Sequence, residues 1–243
     1  MALAPDQLTS YQRDGYLVPQ TPLFPPGDFE RLQAIFEEDL AQYGEDKLDG
    51  IHFHDARLLE FLLSDVVLDI VEPLVGSDIG LWSSHFICKP PKIGKATPWH
   101  EDSAYWDGRV STMEGICTVW LALDEVTSEN GCMKVIPGTH RSQASREYQP
   151  VDGDAHVFES EIKPEQVDAN EAVELLLSPN EYSVHDARIV HGAEANTSDR
   201  RRAGYTMRYF PTTTQVYPAQ NVGHRIWLAR GRDRAGNRYE TSG

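Results

Sequence analysis

The segment PWHEDSAYW, residues 98–106, places a histidine and an aspartate two positions apart. If it is extended, His100 and Asp102 lie on one face, because side chains alternate along a strand, and Glu101 points to the other side. A metal chelated by these two needs a third ligand, and the best candidate is His191 in IVHGAEANTSDRRRAG. Two histidines and one carboxylate leave coordination positions open, as in non-haem Fe(II) oxygenases. Zinc sites more often use other ligand sets.

The tripeptide alone is weak evidence, because a chain with nine histidines is expected to contain about one His-x-Asp by chance. The other histidines have simpler interpretations. His52 and His54 form an HxH, but in a loop ahead of a helix a structural role is favoured. His85 is interpreted as structural, and His140 and His185 as structural or as supports for metal ligands.

The first third of the chain shows helical patterns. PDQLTSYQRDGYLV predicts a helix ending near Gly15, followed by a strand over residues 16–18. PPGDFERLQAIFEEDLAQYG carries apolar residues at helical spacing after an Asp28 cap. DARLLEFLLSDVVLDIVEPLVG repeats the pattern and is predicted to stop at Pro73 and Gly76. Such helices commonly brace a sheet.

From Ile79 onward the pattern changes to strands. The strand-like runs are IGLWSSHFICKPP, GICTVWLALDEV, GCMKVIPGTH, EYSVHDARIVHGAEAN and RAGYTMRYFP. Short strands without intervening helices predict a closed barrel or double-sheet roll. The polar connection over residues 141–168 is long for a compact domain, and a lid or binding loop is the interpretation that this length favours.

Bulk properties narrow the class of protein. A length of 243 residues fits one domain, 1–243. The net charge of −16 argues against nucleic acid and anionic membrane surfaces as partners, since both require clustered Lys and Arg. Three cysteines without a CxxC, no signal-peptide pattern and no membrane-spanning run predict a cytoplasmic protein with reduced thiols.

Three ordered motifs support a more specific interpretation: HFICKPPKIGKATPWHEDSAYW, TVWLALDEVTSENGCMKVIPGTH and VHDARIVHGAEANTSDRRRAG. With them, the chain resembles the phytanoyl-CoA dioxygenase-like (PhyH) family of Fe(II)- and 2-oxoglutarate-dependent oxygenases, from the N-terminal helices to the Arg208 region. The resemblance implies an all-β core with helical additions, a double-stranded β-helix (jelly roll, cupin-like). Residues 1–78 are then a mostly helical N-terminal part, and residues 79–243 the jelly-roll core.

The resemblance also implies a set of site residues. His100, Asp102 and His191 match the catalytic iron ligands of the family. Arg202 matches the arginine that pairs with the distal carboxylate of 2-oxoglutarate, a role that suits a planar, permanently charged guanidinium. Two further matches line the 2-oxoglutarate pocket, namely Lys89 and Trp120. Many relatives have a serine where this chain has Ala193, so a hydroxyl contact to the co-substrate is missing here.

The implied activity is that of an Fe(II)- and 2-oxoglutarate-dependent dioxygenase. It uses O2 and hydroxylates a C–H bond of a small molecule, with release of succinate and CO2. The intact Asp102 disfavours halogenation, because related halogenases commonly lack that carboxylate. Candidate substrate residues are Tyr105, Trp106 and Arg109 after the metal motif, and Arg208, which shares a strand face with Arg202 if that strand is regular.

Three alternatives remain open at this point. The same iron chemistry could end in desaturation, epimerisation or ring closure. A jelly roll could bind a metal and a ligand without turnover, although such a protein has no need for an arginine like Arg202. A zinc hydrolase could use the same scaffold.

Overall fold

The computed structural model describes residues 3–142 and 145–241. Helices dominate the N-terminal part and antiparallel strands the remainder. The α-helices are α1 (Pro5–Asp14), α2 (Pro26–Tyr43), α3 (Leu58–Leu62), α4 (Asp65–Val75) and α5 (Asp102–Trp106). Short 3-10 turns lie at Glu45–Lys47, Ile51–Phe53, Thr139–Arg141, Pro164–Gln166, Ala169–Glu171 and Pro218–Gln220.

The strands form two main sheets and a small hairpin. They are β1 (Tyr16–Leu17), β2 (Ile79–Lys89), β3 (Thr97–His100), β4 (Cys117–Ala122), β5 (Met133–Val135), β6 (Tyr148–Pro150), β7 (Ser160–Ile162), β8 (Val173–Leu175), β9 (Tyr182–Asp186), β10 (His191–Ala193), β11 (Arg202–Pro211) and β12 (Trp227–Arg230). The six-stranded sheet has the order β1-β9-β4-β11-β2-β12, and the four-stranded sheet β3-β10-β5-β8. From β8 to β11, consecutive strands alternate between the two sheets, as in a jelly roll.

Residue alternation gives the six-stranded sheet two different faces. On β4, Cys117, Val119 and Leu121 belong to the largest apolar cluster, which also contains the side chains of the N-terminal helices. The intervening Trp120 packs with residues of the four-stranded sheet in a separate cluster. On β11, Ala203, Tyr205, Met207 and Tyr209 likewise join the helical cluster. The opposite face of β11, which carries Arg202, Gly204, Thr206 and Arg208, is therefore turned toward the space between the sheets.

The helices cover the outer face of this sheet, and they differ from the predictions in three respects. Helix α2 begins at Pro26, so Asp28 lies in the first turn instead of capping the helix. The third helical pattern is divided into α3 and α4. Pro73 lies inside α4, whose last residue is Val75, so the predicted end at Pro73 was wrong and the end at Gly76, the C-cap, is confirmed. The proline lacks the N–H that would bond the residue four positions earlier, so its cost falls on the preceding turn and the helix can continue to Val75.

The metal motif is only partly extended, which corrects the prediction for residues 99–104. Strand β3 ends at His100, Glu101 has extended backbone angles, and Asp102 is the first residue of α5. The side chains of His100 and Asp102 still lie on the same side of the chain, because Glu101 between them keeps extended backbone angles.

The long connection predicted as a lid contains the β6–β7 hairpin, with two of its residues, 143 and 144, outside the described part of the chain. The register pairs Tyr148 with Ile162 and Pro150 with Ser160. The hairpin loop, residues 152–159, contributes to the lining of the main cavity. Among residues 3–142 and 145–241, no helix has the length and apolar character needed to cross a bilayer.

Candidate active site

Two histidines from neighbouring strands of the four-stranded sheet face each other. His191 at the start of β10 is in register with His100 at the end of β3, and their ring centroids are 4.0 Å apart. Their Nδ1 atoms lie 2.8 Å from the Pro98 carbonyl oxygen and 3.0 Å from the Ile189 carbonyl oxygen. If each Nδ1 carries the proton, both Nε2 atoms are left as free ligands, and a backbone partner of this kind fixes ring orientation in metal sites.

Asp102 completes a cluster whose three ligand atoms all lie within 4.8 Å of one another. Its Oδ1 lies 3.9 Å from Nε2 of His100 and 4.0 Å from Nε2 of His191. All three side chains are buried. A metal ion with typical bond lengths of about 2 Å fits between atoms with such separations.

The protonation states in this cluster suit a metal site. Burial and the charge of the neighbouring His191 lower the pKa of His100 to about 3. For Asp102, burial acts to raise the pKa, but the Arg208 guanidinium and the imidazoles outweigh it and hold that pKa below its ordinary value. The cluster therefore combines a neutral imidazole at His100 with an ionised carboxylate at Asp102, the forms that bind metal ions.

A cavity of about 890 Å³ opens beside the cluster, and Arg202 lies at one end of it. The Arg202 side chain is 2% exposed. Its Nε and Nη2 donate to the Gly131 carbonyl, and its guanidinium lies 5.1 Å from the centre of the Trp120 ring. Its Nη1 has no hydrogen-bond partner among the described residues. A buried guanidinium without a carboxylate is costly, so this end of the cavity suits an anionic ligand.

Lys89 and Trp120 lie beside Arg202. Lys89 is in register with Arg202 and donates from Nζ to the backbone oxygens of Glu194 at 2.6 Å and Ala193 at 3.4 Å. Burial and the Arg202 charge lower the pKa of Lys89 to about 6. An anion bound nearby would favour the protonated amine.

The four candidate substrate residues have different positions. Arg208 lines the cavity and donates from Nε to Asp102 at 3.3 Å. The ring of Tyr105 lies 5.9 Å from that of His100, and the side chain is partly exposed. Arg208 alone of the four is among the described lining residues of the cavity. Trp106 packs on Trp82, and Arg109 stacks over Trp82 and bonds Asn221.

Several contributions to the site were missed by the sequence patterns. Thr118 donates to Oδ2 of Asp102 at 3.2 Å, and strand alternation could have found it, because Trp120 shares its face. The Phe158 ring, from the hairpin loop, lies 5.0 Å from the His100 ring. His185 lines the cavity with its ring 5.0 Å from His191, and its two nitrogens have no partner among the described residues.

Two other histidines that the sequence singled out, His52 and His140, are not among the lining residues of the cavity. His52 is buried with its Nδ1 2.6 Å from the Ser84 hydroxyl and packs on Trp227, and among the described residues neither histidine of the HxH belongs to a group of three or more potential metal ligands. His140 lies with Nε2 3.2 Å from the Gln12 carbonyl oxygen. His85 is different, because it lines the main cavity.

A jelly roll that carries two histidines and one aspartate beside an enclosed arginine defines the class of 2-oxoglutarate-dependent oxygenases. The sequence profile of the phytanoyl-CoA dioxygenase (PhyH) family matches residues 11–204, and the chain belongs to that family. Family membership and the His-Asp-His cluster together support iron- and 2-oxoglutarate-dependent oxygenase chemistry.

Curated relatives include a phytanoyl-CoA dioxygenase domain-containing protein 1 homolog from Caenorhabditis elegans, 29% identical over 71% of this chain and 60% of the relative. Another is a probable alpha-ketoglutarate-dependent hypophosphite dioxygenase from Stutzerimonas stutzeri, 27% identical over 73% of this chain and 60% of the relative. The chain thus spans three fifths of the length of these two relatives.

Solved structures share the fold at lower identity. The non-haem monooxygenase ThoJ superposes with a TM-score of 0.77 at 22% identity, covering 98% of this chain and 90% of ThoJ. EctD from S. alaskensis, solved with 2-oxoglutarate and 5-hydroxyectoine, gives 0.74 at 22% identity and covers 98% and 87%. The carbocyclase SnoK gives 0.73 at 24% identity and covers 89% and 87%.

Proposed function

We propose that this protein is an Fe(II)- and 2-oxoglutarate-dependent dioxygenase that hydroxylates a C–H bond of a small molecule. One observation carries the proposal: the buried His100, Asp102 and His191 cluster shares a cavity with a buried, incompletely paired Arg202. A protein that only binds a metal has no use for such an arginine, whereas a dicarboxylate co-substrate needs a cation at its far end.

His100, Asp102 and His191 would hold Fe(II) through two imidazole nitrogens and one carboxylate oxygen. The bound iron supplies the activation of O2, coupled to the oxidative decarboxylation of 2-oxoglutarate to succinate and CO2. The protein contributes a site with reduced access to water, because the three ligand side chains are each less than one tenth exposed.

Arg202 would orient 2-oxoglutarate by pairing with its distal carboxylate. Trp120 lies against the guanidinium, and Gly204 leaves room for the indole, because a Cβ at Gly204 would lie 2.2 Å from Trp120 Cζ2. Lys89 adds a second proton donor at the same end. Ala193, which also lines the cavity, offers no hydroxyl, so the arginine and the lysine supply the polar contacts there.

The remaining lining favours a small substrate without several phosphates. Outside Asp102, the lining residues include six carboxylates: Glu45, Asp46, Asp49, Asp152, Asp154 and Glu159. Lys95, which also lines the cavity, donates to the Gly153 carbonyl. A CoA thioester would place its phosphates against this negative surface at an electrostatic cost.

Turnover of 2-oxoglutarate without any added substrate tests the proposal. Such uncoupled decarboxylation is expected with Fe(II) and O2 and is measured as succinate formed. It should disappear with Zn(II) or in the absence of O2. Succinate formation that is equal with Zn(II), or absent with fully loaded Fe(II), would contradict the proposal and favour the hydrolase or binding-protein interpretation.

Hydroxylation is the proposed outcome, and product analysis distinguishes it from desaturation, epimerisation and ring closure. Hydroxylation adds 16 mass units to the substrate, a difference that follows from insertion of one oxygen atom. Desaturation and ring closure remove two hydrogens, and epimerisation leaves the mass unchanged. Incubation with a panel of small molecules, followed by mass spectrometry, separates these outcomes directly.

A further inference from the structure

The two carboxylate oxygens of Asp102 have different surroundings. Oδ2 accepts hydrogen bonds from Thr118 Oγ1 at 3.2 Å and from Arg208 Nε at 3.3 Å. Oδ1 lies 3.9 and 4.0 Å from the Nε2 atoms of His100 and His191. The oxygen that faces both histidines is therefore distinct from the oxygen that the six-stranded sheet holds.

The two donors to Oδ2 form one cross-strand pair. Thr118 on β4 is in register with Arg208 on β11, so their side chains lie side by side on the inner face of the sheet. The Arg208 guanidinium is 5.8 Å from the centre of the Trp106 ring, and Trp106 packs edge-on against Trp82 at 5.9 Å. Packing against buried indoles restricts the arginine to few rotamers, so its hydrogen bond is held in place.

We propose that Arg208 and Thr118 are positioning residues that reserve Oδ1 of Asp102 for the metal and keep Oδ2 away from it. This inference rests on the proposed function of the same site. Carboxylates bind metal ions through one oxygen or through both. With both engaged, Asp102 would take a position that the facial arrangement otherwise leaves open for the 2-oxo acid and O2.

Arg208 therefore has a role that does not involve the substrate, namely to orient the carboxylate of Asp102. Its Nε is committed to Asp102, and the ring of Trp106 lies against its guanidinium, so the side chain is turned toward the metal ligand. The Nε–H that Asp102 accepts is not available to a substrate anion, and the positioning role needs this donor alone.

The test uses the full chain, loaded anaerobically with Fe(II), and a titration with 2-oxoglutarate. The visible charge-transfer band of a chelated 2-oxo acid reports binding. In the double variant Thr118→Val with Arg208→Gln, at saturating Fe(II), we expect 2-oxoglutarate affinity to fall by about tenfold or more, because an Asp102 bound through both oxygens would occupy a position that the 2-oxo acid needs. Fe(II) affinity should change by less than the ~10–100-fold that a lost outer-shell partner can cost, because Asp102 would keep at least one bond to the metal. The far-UV circular dichroism should stay near wild type.

Two conservative variants serve as controls. As a single substitution, Thr118→Ser keeps the hydroxyl and should retain wild-type 2-oxoglutarate affinity. If Thr118 acted only through its size, the smaller serine would weaken that affinity. Arg109→Gln makes the same change of residue type at an arginine that stacks on Trp82 and bonds Asn221, away from Asp102. It should leave both affinities unchanged.

Each outcome decides the inference. An unchanged 2-oxoglutarate affinity in the double variant overturns it. A parallel loss of Fe(II) affinity also overturns it, because the two side chains would then hold the ligand itself and not the open position. If the wild-type protein binds Fe(II) but shows no band, the proposed function fails first and takes this inference with it.

Discussion

The two sheets of the jelly roll contribute different parts of the candidate site. The four-stranded sheet and the helix that follows β3 carry the metal cluster: His100, Asp102 and His191. The six-stranded sheet carries the cations and hydrogen-bond donors that surround it: Lys89, Thr118, Trp120, Arg202 and Arg208. The four-stranded sheet thus holds most of the metal cluster, and the six-stranded sheet holds the side chains that would bind the co-substrate and orient Asp102.

This division is a consequence of strand length and alternation. β11 is ten residues long and regular over Arg202 to Arg208, with a register shift only after Arg208, so four inward side chains are placed along about 20 Å. β3 and β10 are short, and each ends or begins at its histidine. The short strands β3 and β10 bring their two histidines close together. The long strand β11 places Arg202, which would bind the distal carboxylate of 2-oxoglutarate, at a distance from the metal cluster. Substitutions on the two sheets should therefore have separable effects.

The largest effect is expected from the four-stranded sheet. In His191→Ala, Fe(II) affinity should fall by more than about 100-fold, beyond the ~10–100-fold that a lost outer-shell partner costs, and turnover should vanish. Metal titration and succinate formation measure the two quantities. His54→Ala, in the HxH outside this cluster, is the control and should match wild type. Retained iron binding in His191→Ala would remove this residue from the metal site.

A second, smaller effect is expected from the six-stranded sheet. Arg202→Gln should weaken 2-oxoglutarate binding by about 100-fold, since truncating one partner of a buried charge pair costs about 2–5 kcal/mol. Iron affinity should be unchanged, which separates this variant from His191→Ala. The matched control is Arg201→Gln, because Arg201 pairs with Asp124 and Glu37 near the surface. Equal 2-oxoglutarate affinities in the two variants would exclude Arg202 as the anchor.

A third variant tests whether Glu101, within the metal motif, holds the β6–β7 hairpin in place through its ion pair with Arg146. Glu101 is buried, pairs with Arg146, and donates from its backbone N–H to the Tyr148 hydroxyl at 3.0 Å. Glu101→Gln should lower the free energy of unfolding by about 2 kcal/mol, because it leaves a partly buried guanidinium without its counter-charge. Urea denaturation measures the change.

The same hairpin offers the control for Glu101. Glu147 pairs with Lys163 at the surface, and exposed pairs contribute little. Glu147→Gln should therefore give a denaturation curve that overlays wild type. If Glu101→Gln also overlays wild type, the attachment of the hairpin does not depend on this ion pair.

The smallest expected effect is a change in the protonation of Lys89 when 2-oxoglutarate binds. In the unfolded chain Lys89 has an ordinary pKa near ~10.4, whereas burial lowers it to about 6 in the folded protein. Between these values the unfolded chain binds more protons, so this group makes the ligand-free protein more stable as pH rises. Binding of 2-oxoglutarate should raise the pKa of Lys89 again, with uptake of up to about one proton near pH 7.5.

Calorimetry in buffers of different ionisation enthalpy measures this uptake. The affinity for 2-oxoglutarate should accordingly fall as pH rises above about 6 in the wild-type protein. Lys89→Met should abolish both the uptake and this part of the pH dependence. Identical proton uptake in the two proteins would assign it to another group.

Much of this architecture could be predicted from local patterns. Alternation on β11 predicted the shared face of Arg202 and Arg208, because a regular strand fixes side-chain direction by parity. The pattern failed where the chain leaves regular structure. Asp102 begins α5 instead of continuing β3, and the helix turns Trp106 toward Trp82. Such changes depend on tertiary packing that the local sequence does not encode.

Contacts between side chains on different strands and loops also could not be predicted from the sequence. No local signal states that Thr118 faces Arg208 or that Phe158 reaches His100, since register and loop placement arise from contacts between distant segments. Arg208 was a candidate substrate residue by its strand face, and the identity of its carboxylate partner, Asp102, emerges only from the fold. The helical predictions succeeded in type and at the ends near Gly15 and Gly76, but not at the start of α2 or at Pro73.

An anaerobic absorbance titration with Fe(II) and then 2-oxoglutarate shows whether the metal cluster and Arg202 bind one co-substrate. We expect a visible charge-transfer band in the wild-type protein and in Arg201→Gln, with a much higher 2-oxoglutarate concentration needed in Arg202→Gln. A wild-type protein that binds Fe(II) but develops no band at saturating 2-oxoglutarate would contradict this expectation, because the metal cluster and Arg202 would then not share a co-substrate.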